Sequence, residues 1–306
     1  MTAKLMMFYN PCGGVGKTTL TLIAGDGLQR LYGRRVLFID LDGLCSLSRR
    51  LGYSGNIWIC ADKHFKYSSR HLVRGEIKRQ GRGLQDLQMI YHPDAYYCSD
   101  GRIERNWTEP RVRGDLIPAD SGLFYYSLPA GENGYGFDTY LINLLKTWID
   151  ELSKYYDVIF LDCAPGYGRL AQQASLAVDY LIPVIEAGVY ESLTGCDFIM
   201  WDIHRTQHPY EKTEELWNRC PFKTEIPGIV VNKVQIGYSD FNNEAIKRVN
   251  TKFKWVVEIP GAYVRERDVL IYNNKGSLFS IFERGKSRSR NCCEELVTAL
   301  EKLLSK

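Results

Sequence analysis

Three short stretches gather residue types suited to phosphate chemistry. The first is residues 8–19, Phe-Tyr-Asn-Pro-Cys-Gly-Gly-Val-Gly-Lys-Thr-Thr. Gly13, Gly14 and Gly16 let a backbone bend tightly around phosphate oxygens, so that N–H groups, Val15's included, point inward. Lys17 supplies a mobile positive charge for β- and γ-phosphates, the Thr18 hydroxyl is placed to ligate Mg²⁺, and Thr19 continues the run. The second stretch is Asp40-Leu41-Asp42, and the third is the run Tyr156–Asp162, which closes on a carboxylate able to hold a magnesium-bound water. Taken singly, the first has a plainer reading as a Gly-rich turn capping a helix, and the second as two solvated loop carboxylates.

The elements that must position these residues are legible in the periodicity. Leu5 to Tyr9 is an apolar run, and Leu20, Ile23, Ala24, Leu28 and Leu31 recur at helical spacing. The glycines therefore lie between a strand and a helix, the context a phosphate loop requires. Arg35–Asp40 and Tyr156–Asp162 are apolar enough to be buried on both faces of a parallel sheet. Carboxylates at the C-terminal ends of such strands lie where α/β sheets hold ligands. Further strands are expected at Tyr180–Ile185, Gly228–Val234 and Trp255–Pro260. Helices are expected over Asp138–Leu152, from about Ser192 to Gln207, and over Asn291–Leu304. This alternation implies an α/β fold, a doubly wound and mainly parallel sheet flanked by helices. One domain is expected across residues 1–306, without internal repeats or flexible linkers.

Composition narrows the classes. At 306 residues, 45% hydrophobic and 25% charged, the chain is an ordinary globular sequence. No apolar run approaches the roughly 18 residues of a membrane span, and the apolar N-terminus leads straight into the glycine loop, as a core strand would. Nine cysteines beside a phosphate loop point to a reducing cytoplasm, not a disulfide framework. No C-x-x-C occurs, which argues against zinc or an iron–sulfur cluster. A formal net charge of +3 is too mild to name a partner.

The three stretches together resemble the ParA/MinD family of P-loop ATPases. The family's deviant motif is K-G-G-x-G-K-[ST]-[ST], which Gly13 to Thr19 match, while Cys12 stands at the signature lysine. In the family that lysine reaches a partner subunit's nucleotide, so Cys12 departs from the pattern; Arg169 and Lys154 are the candidate cations to replace it. Asp40-Leu41-Asp42 is similar to the family's second acidic motif, with Gly43-Leu44 replacing the usual Pro-Gln. The resemblance implies that Asp42 orients the attacking water and that Asp40 and Asp162 support the magnesium shell, both through water. Asp162-Cys163-Ala164-Pro165-Gly166 resembles the family's D-C-P-P-S, where the cysteine is packing and not a nucleophile. Asn232, at the end of a strand, matches the position that reads an adenine edge; a turn-forming Asn is the other reading.

The resemblance further implies ATP and Mg²⁺ as ligands and slow, partner-stimulated hydrolysis. It implies an ATP-dependent homodimer, sequence-independent DNA binding, and a ParB-like or adaptor partner. The usual duty is partition of a plasmid or chromosome, or positioning of a protein organelle such as a carboxysome. The protein would be cytoplasmic, nucleoid-associated when ATP-bound, and not inserted stably in membrane. Arg265, Arg267, Lys275, Arg284, Lys286 and Arg288 are the DNA-contact candidates, ordinary surface charge being the alternative. A MinD-like membrane-associated regulator and a weakly hydrolysing interaction module are the rival functions. Against the first, Glu294, Glu295 and Glu301 lie in the C-terminal helix, whose Leu296, Leu300, Leu303 and Leu304 suit docking on a sheet. Residues 54–113, basic with interleaved aromatics, form a variable insertion: a partner or nucleic-acid surface, or a solvated excursion.

Overall fold

The computed structural model describes residues 2–51, 53, 68–74, 90, 95–97, 103–105, 112–123, 151–211, 224–234, 253–260, 281–283 and 288–305. The elements run β1 (Lys4–Tyr9), α1 (Lys17–Tyr32), β2 (Val36–Leu41), α2 (Ser46–Arg50), α3 (Ser69–Arg74), β3 (Ala95–Tyr97), β4 (Ile103–Arg105) and β5 (Asp115–Ile117). They continue with β6 (Val158–Cys163), α4 (Arg169–Ala177), β7 (Tyr180–Glu186), α5 (Tyr190–Glu211), β8 (Gly228–Val234), β9 (Trp255–Pro260) and α6 (Arg288–Leu304). Seven strands form one sheet in the order β5-β2-β6-β1-β7-β8-β9, and every pairing within it is parallel. β3 and β4 make a separate antiparallel pair. The helix expected over residues 138–152 lies outside the described residues except for Glu151 and Leu152, which are helical.

The period of two along each strand splits the core between the two faces of the sheet. Leu5, Met7, Leu37, Ile39, Ile159 and Leu161 face one layer, where α4 adds Leu170 and Ala174 and α5 adds Ile199 and Ile203. Met6, Phe8, Val36, Phe38, Val158 and Phe160 face the other, under α1 and α6. There Phe160 stacks between Phe8 and Phe38, with ring centroids 6.1 and 6.0 Å apart. α1 buries Leu20, Ile23, Ala24 and Leu28 as its spacing predicts, but Leu31 turns outward at 40% exposure. The helix ends just beyond, where Gly33 takes a left-handed conformation (φ 68°) and its N–H caps Gln29 O.

α6 docks as expected. Leu296, Leu300 and Leu303 are buried in the layer shared with α1, and Arg34 grips Glu301 with two hydrogen bonds of 3.0 and 2.5 Å. Part of the basic insertion is anchored as well. Arg70 bonds buried Asp120 at 2.9 Å, and the Arg113 N–H donates to Asp26 of α1 at 2.8 Å. The Arg70 guanidinium thus serves an internal ion pair, whereas residue 113 is tied in through its main chain.

Candidate functional site

Parallel pairing carries all three chemical stretches to one edge of the sheet. β1 ends at Tyr9 and hands the chain to the loop 10–16; β2 and β6 bring Asp40 and Asp162 into direct register. The loop uses its glycines where conformation demands them: Gly14 and Gly16 have φ of 78° and 101°. A Cβ on Gly16 would also overlap the Asn232 amide. Gly13 and Gly14 are exposed at the crown of the loop, whereas Val15 and Lys17 are buried.

Lys17 is the first residue of α1, and its ammonium donates to the Cys12 carbonyl at 2.7 Å. It lies 5.9 Å from the centroid of the Tyr9 ring. Burial lowers its pKa, opposed chiefly by Asp162. Thr18 donates its hydroxyl to Asp162 Oδ2 at 2.8 Å. The other oxygen, Asp162 Oδ1, is buried without a hydrogen-bond partner. Burial first, and the adjacent Asp40 second, push the Asp162 carboxyl up to about 8. Asp40 is itself raised to about 7, mainly by burial. An orphaned carboxylate oxygen beside a threonine hydroxyl is a hard, oxygen-only donor set of the type Mg²⁺ prefers. Thr18 and Asp162 therefore fit the expected metal.

The second acidic stretch is organised by α2. Asp40 accepts from the Ser48 N–H and hydroxyl at 2.9 and 2.6 Å and from the Asp42 N–H at 3.0 Å. Asp42 accepts from the Leu44 N–H and the Ser46 hydroxyl, both at 2.9 Å. Both carboxylates are thereby fixed toward the phosphate loop's side of the sheet. Where Gly43-Leu44 departs from the family pattern, Leu44 is 58% exposed and Cys45 adopts a left-handed φ of 57°.

The loop after β6 is latched to the phosphate loop. The Gly166 N–H donates to Pro11 O at 2.7 Å, and the Tyr9 hydroxyl donates to Gly166 O. Tyr167 then bonds Asp202 of α5 at 2.7 Å and packs edge-on against Phe198, centroids 5.1 Å apart. Cys163 is buried and its thiol pushed well up, chiefly by burial, which suits packing and not nucleophilic attack.

Asn232 is brought to the site, but both polar atoms of its amide meet main chain: Nδ2 donates to Val15 O at 2.7 Å and Oδ1 accepts the Lys233 N–H at 2.9 Å. It braces the phosphate loop from β8. Of the cations weighed against Cys12, Lys154 precedes the start of β6, at the sheet edge opposite the site, and Arg169 is exposed at the start of α4. Arg265, Arg267, Lys275, Arg284 and Lys286 lie outside the described residues; Arg288 opens α6. Among the described residues, no group of three His, Cys, Asp or Glu side chains is gathered to hold a metal, and no helix is long and apolar enough to cross a membrane.

Sequence reading passed over Asn10, Ser46, Ser48 and Arg50. Asn10 is fully buried; its amide donates to Val184 O and Ser192 O at 2.8 and 2.6 Å while accepting the Cys12 N–H at 2.9 Å. Arg50 donates to Thr19 Oγ1 at 2.8 Å. A polar residue directly after a buried strand is the only local hint of Asn10. The partners of Asn10 on β7 and α5 lie more than 170 positions away in sequence.

A glycine loop between β1 and α1, an acidic β6 end on its threonine and an all-parallel sheet define a P-loop nucleotide-binding protein. A family model described as an AAA domain matches residues 3–215; the chain belongs to that family, among its ParA/MinD-like P-loop ATPases. A ParA family protein of the Chlamydia muridarum virulence plasmid is 30% identical over 183 residues, covering 59% of this chain and 54% of that protein. A ParA family protein of Chlamydia pneumoniae is 27% identical over 172 residues, 56% and 53% of the two chains. The chain thus spans about half the length of the curated relatives it matches. An ATP complex of Cyanothece McdA superimposes with a TM-score of 0.66 at 19% identity, covering 98% and 97% of the two chains. A plasmid partition protein of Borrelia burgdorferi bound to AMPPNP gives 0.60 at 18%, covering 99% and 100%. At such identities these structures report the fold alone.

Proposed function

We propose that this protein is a Mg²⁺-dependent ATPase switch of the ParA type. In this reading ATP binding joins two copies, the dimer binds DNA without sequence preference, and hydrolysis releases it while a plasmid, chromosome or protein organelle is partitioned or positioned. The observation that carries the reading is the Thr18–Asp162 pair, with the second Asp162 oxygen buried and unpartnered at the mouth of the phosphate loop. Mg²⁺ held there would neutralise charge on the β- and γ-phosphate oxygens. Lys17 adds a second positive charge on the same side, and the N–H groups at the start of α1 bind anionic oxygen. Asp42, held by Ser46 and the Leu44 N–H, is fixed to orient a water.

The switch reading is supported by the latch from Tyr9 and Pro11 to Gly166, because a group entering the loop meets both sides of it. The membrane-regulator alternative is weakened, because Leu296, Leu300 and Leu303 of α6 are already buried against the protein. Cys12, which has no charge to offer a partner's nucleotide, favours a second reading: a weakly hydrolysing interaction module. The domain assignment, residues 1–306 with an insertion at about 54–113, belongs to the same proposal.

Asp42→Ala protein, titrated onto random-sequence duplex DNA with ATP and with ADP across a salt series, tests the switch. Binding with ATP only, weakening steeply as salt rises, is expected for sequence-independent phosphate contacts. Absence of binding in both states would favour the interaction module.

A further inference from the structure

Thr19 follows the metal-side threonine of the phosphate loop and lies in the first turn of α1, where backbone N–H groups lack helical partners. Its hydroxyl is held by Arg50, which comes from a different element. α2 carries Arg50 and is fixed along its length. Ser46 is tied to Asp42 and Ser48 to Asp40, while Leu47 and Leu51 are buried under the sheet. The Tyr53 N–H donates to Ser48 O at 3.0 Å and closes the turn beyond it. Arg50 is therefore a guanidinium delivered to the phosphate loop on a rigid support, its own side chain half-buried.

Charge gives this placement a consequence. A nucleoside triphosphate and the carboxylates Asp40, Asp42 and Asp162 bring several negative charges to one sheet edge, where Lys17 supplies one positive charge. The position that would carry a second lysine holds Cys12. Guanidinium is a planar fork of donors matched to phosphate oxygens and more weakly hydrated than an ammonium, so it is suited to a part-buried anion site. Thr18 faces Asp162, on the metal side. Thr19, about 100° further round the helix, faces α2 instead, away from the end where Lys17 and the metal would meet β- and γ-oxygens.

We propose that Arg50 is a nucleotide-binding residue, whose guanidinium contacts an α-phosphate oxygen of a bound nucleoside di- or triphosphate alongside the Thr19 hydroxyl. It supplies, from within the same chain, positive charge that the Cys12 position lacks. Because α2 also fixes Asp40 and Asp42, one short helix ties nucleotide occupancy to the acidic strand end. The inference rests on the reading of the loop as a nucleotide site.

Binding of fluorescent N-methylanthraniloyl ADP and ATP, with Mg²⁺, to wild type, Arg50→Gln and Lys17→Ala proteins separates the two ideas. Gln keeps a donor for Thr19 and removes the charge. Arg50→Gln is expected to weaken ADP and ATP alike by about tenfold, the scale of one charged hydrogen bond, and to flatten the dependence of affinity on salt. Arg50→Lys, which restores charge without the fork, is expected to recover part of the loss, and it reads the same quantity should Arg50→Gln not fold. Unchanged ADP and ATP affinities alongside a lowered melting temperature would make Arg50 a tether between α2 and α1 and overturn the proposal. A loss confined to ATP would overturn the α-phosphate assignment. Equal affinities in wild type and Lys17→Ala would sink the nucleotide site itself, and this inference with it.

Discussion

Asp162 shows how the residue chemistry of the site conflicts with stability. Its carboxyl is fully buried, in register with Asp40, and one of its oxygens has no partner. With an ordinary carboxyl near 3.9 when unfolded and about 8 when folded, the native state holds the proton more tightly. Folding stability should therefore fall as pH rises from about 4 towards 8. Asp162→Asn removes this contribution. Thermal melts of the nucleotide-free protein at pH 5 and pH 8 should show a smaller decline for Asp162→Asn than for wild type, and the variant should lose Mg²⁺-dependent nucleotide binding. An equal decline would mean that Asp162 titrates as an ordinary carboxylate. Lys17, Thr18 and Asp162 were legible because each sits at a fixed offset from a strand end that apolar runs reveal. Asn10 and Arg50 were not, because their significance lies in partners supplied by α5, β7 and α1, and no spacing in the sequence records those contacts.

At the scale of elements, close packing decides more than propensity. α1 contains Gly25 and Gly27, which by intrinsic preference each cost about 1 kcal/mol relative to alanine. A Cβ at Gly25 would overlap the Phe38 ring, and one at Gly27 would overlap Val297 of α6. Gly25→Ala should therefore destabilise the protein by about 1–3 kcal/mol, because overpacking a full core outweighs the gain in helix propensity. Urea unfolding measures it, and a raised midpoint would contradict the packing argument. The strands β1, β2, β6, β7, β8 and β9 and the docked α6 followed from apolar runs and periodicity; the three-residue strands β3, β4 and β5 did not. α2 did not: it is five residues long, and what fixes it is a set of side-chain bonds to Asp40 and Asp42. The basic stretch 54–113 reads in sequence as a surface or a solvated excursion, yet Arg70 within it makes an internal ion pair, and the main chain of Arg113 bonds Asp26. Charge counting could not single out Arg70, since Asp120 becomes its partner only after β5 joins β2.

For the whole molecule, the strand order follows from a rule the sequence does carry: buried parallel strands joined by helices wind a sheet whose C-terminal edge collects the ligand-binding loops. The order β5-β2-β6-β1-β7 places the phosphate loop beside β6, with the two acidic ends of β2 and β6 adjacent, so three stretches spread over 150 residues become one site. The measurement that tests this most directly is Mg²⁺-ATP binding and turnover by wild type, Lys17→Ala and Asp42→Ala proteins side by side. Lys17→Ala should lose nucleotide binding, whereas Asp42→Ala should bind ATP as wild type does and fail to hydrolyse it. Wild-type affinity in Lys17→Ala, or undiminished turnover in Asp42→Ala, would contradict the account.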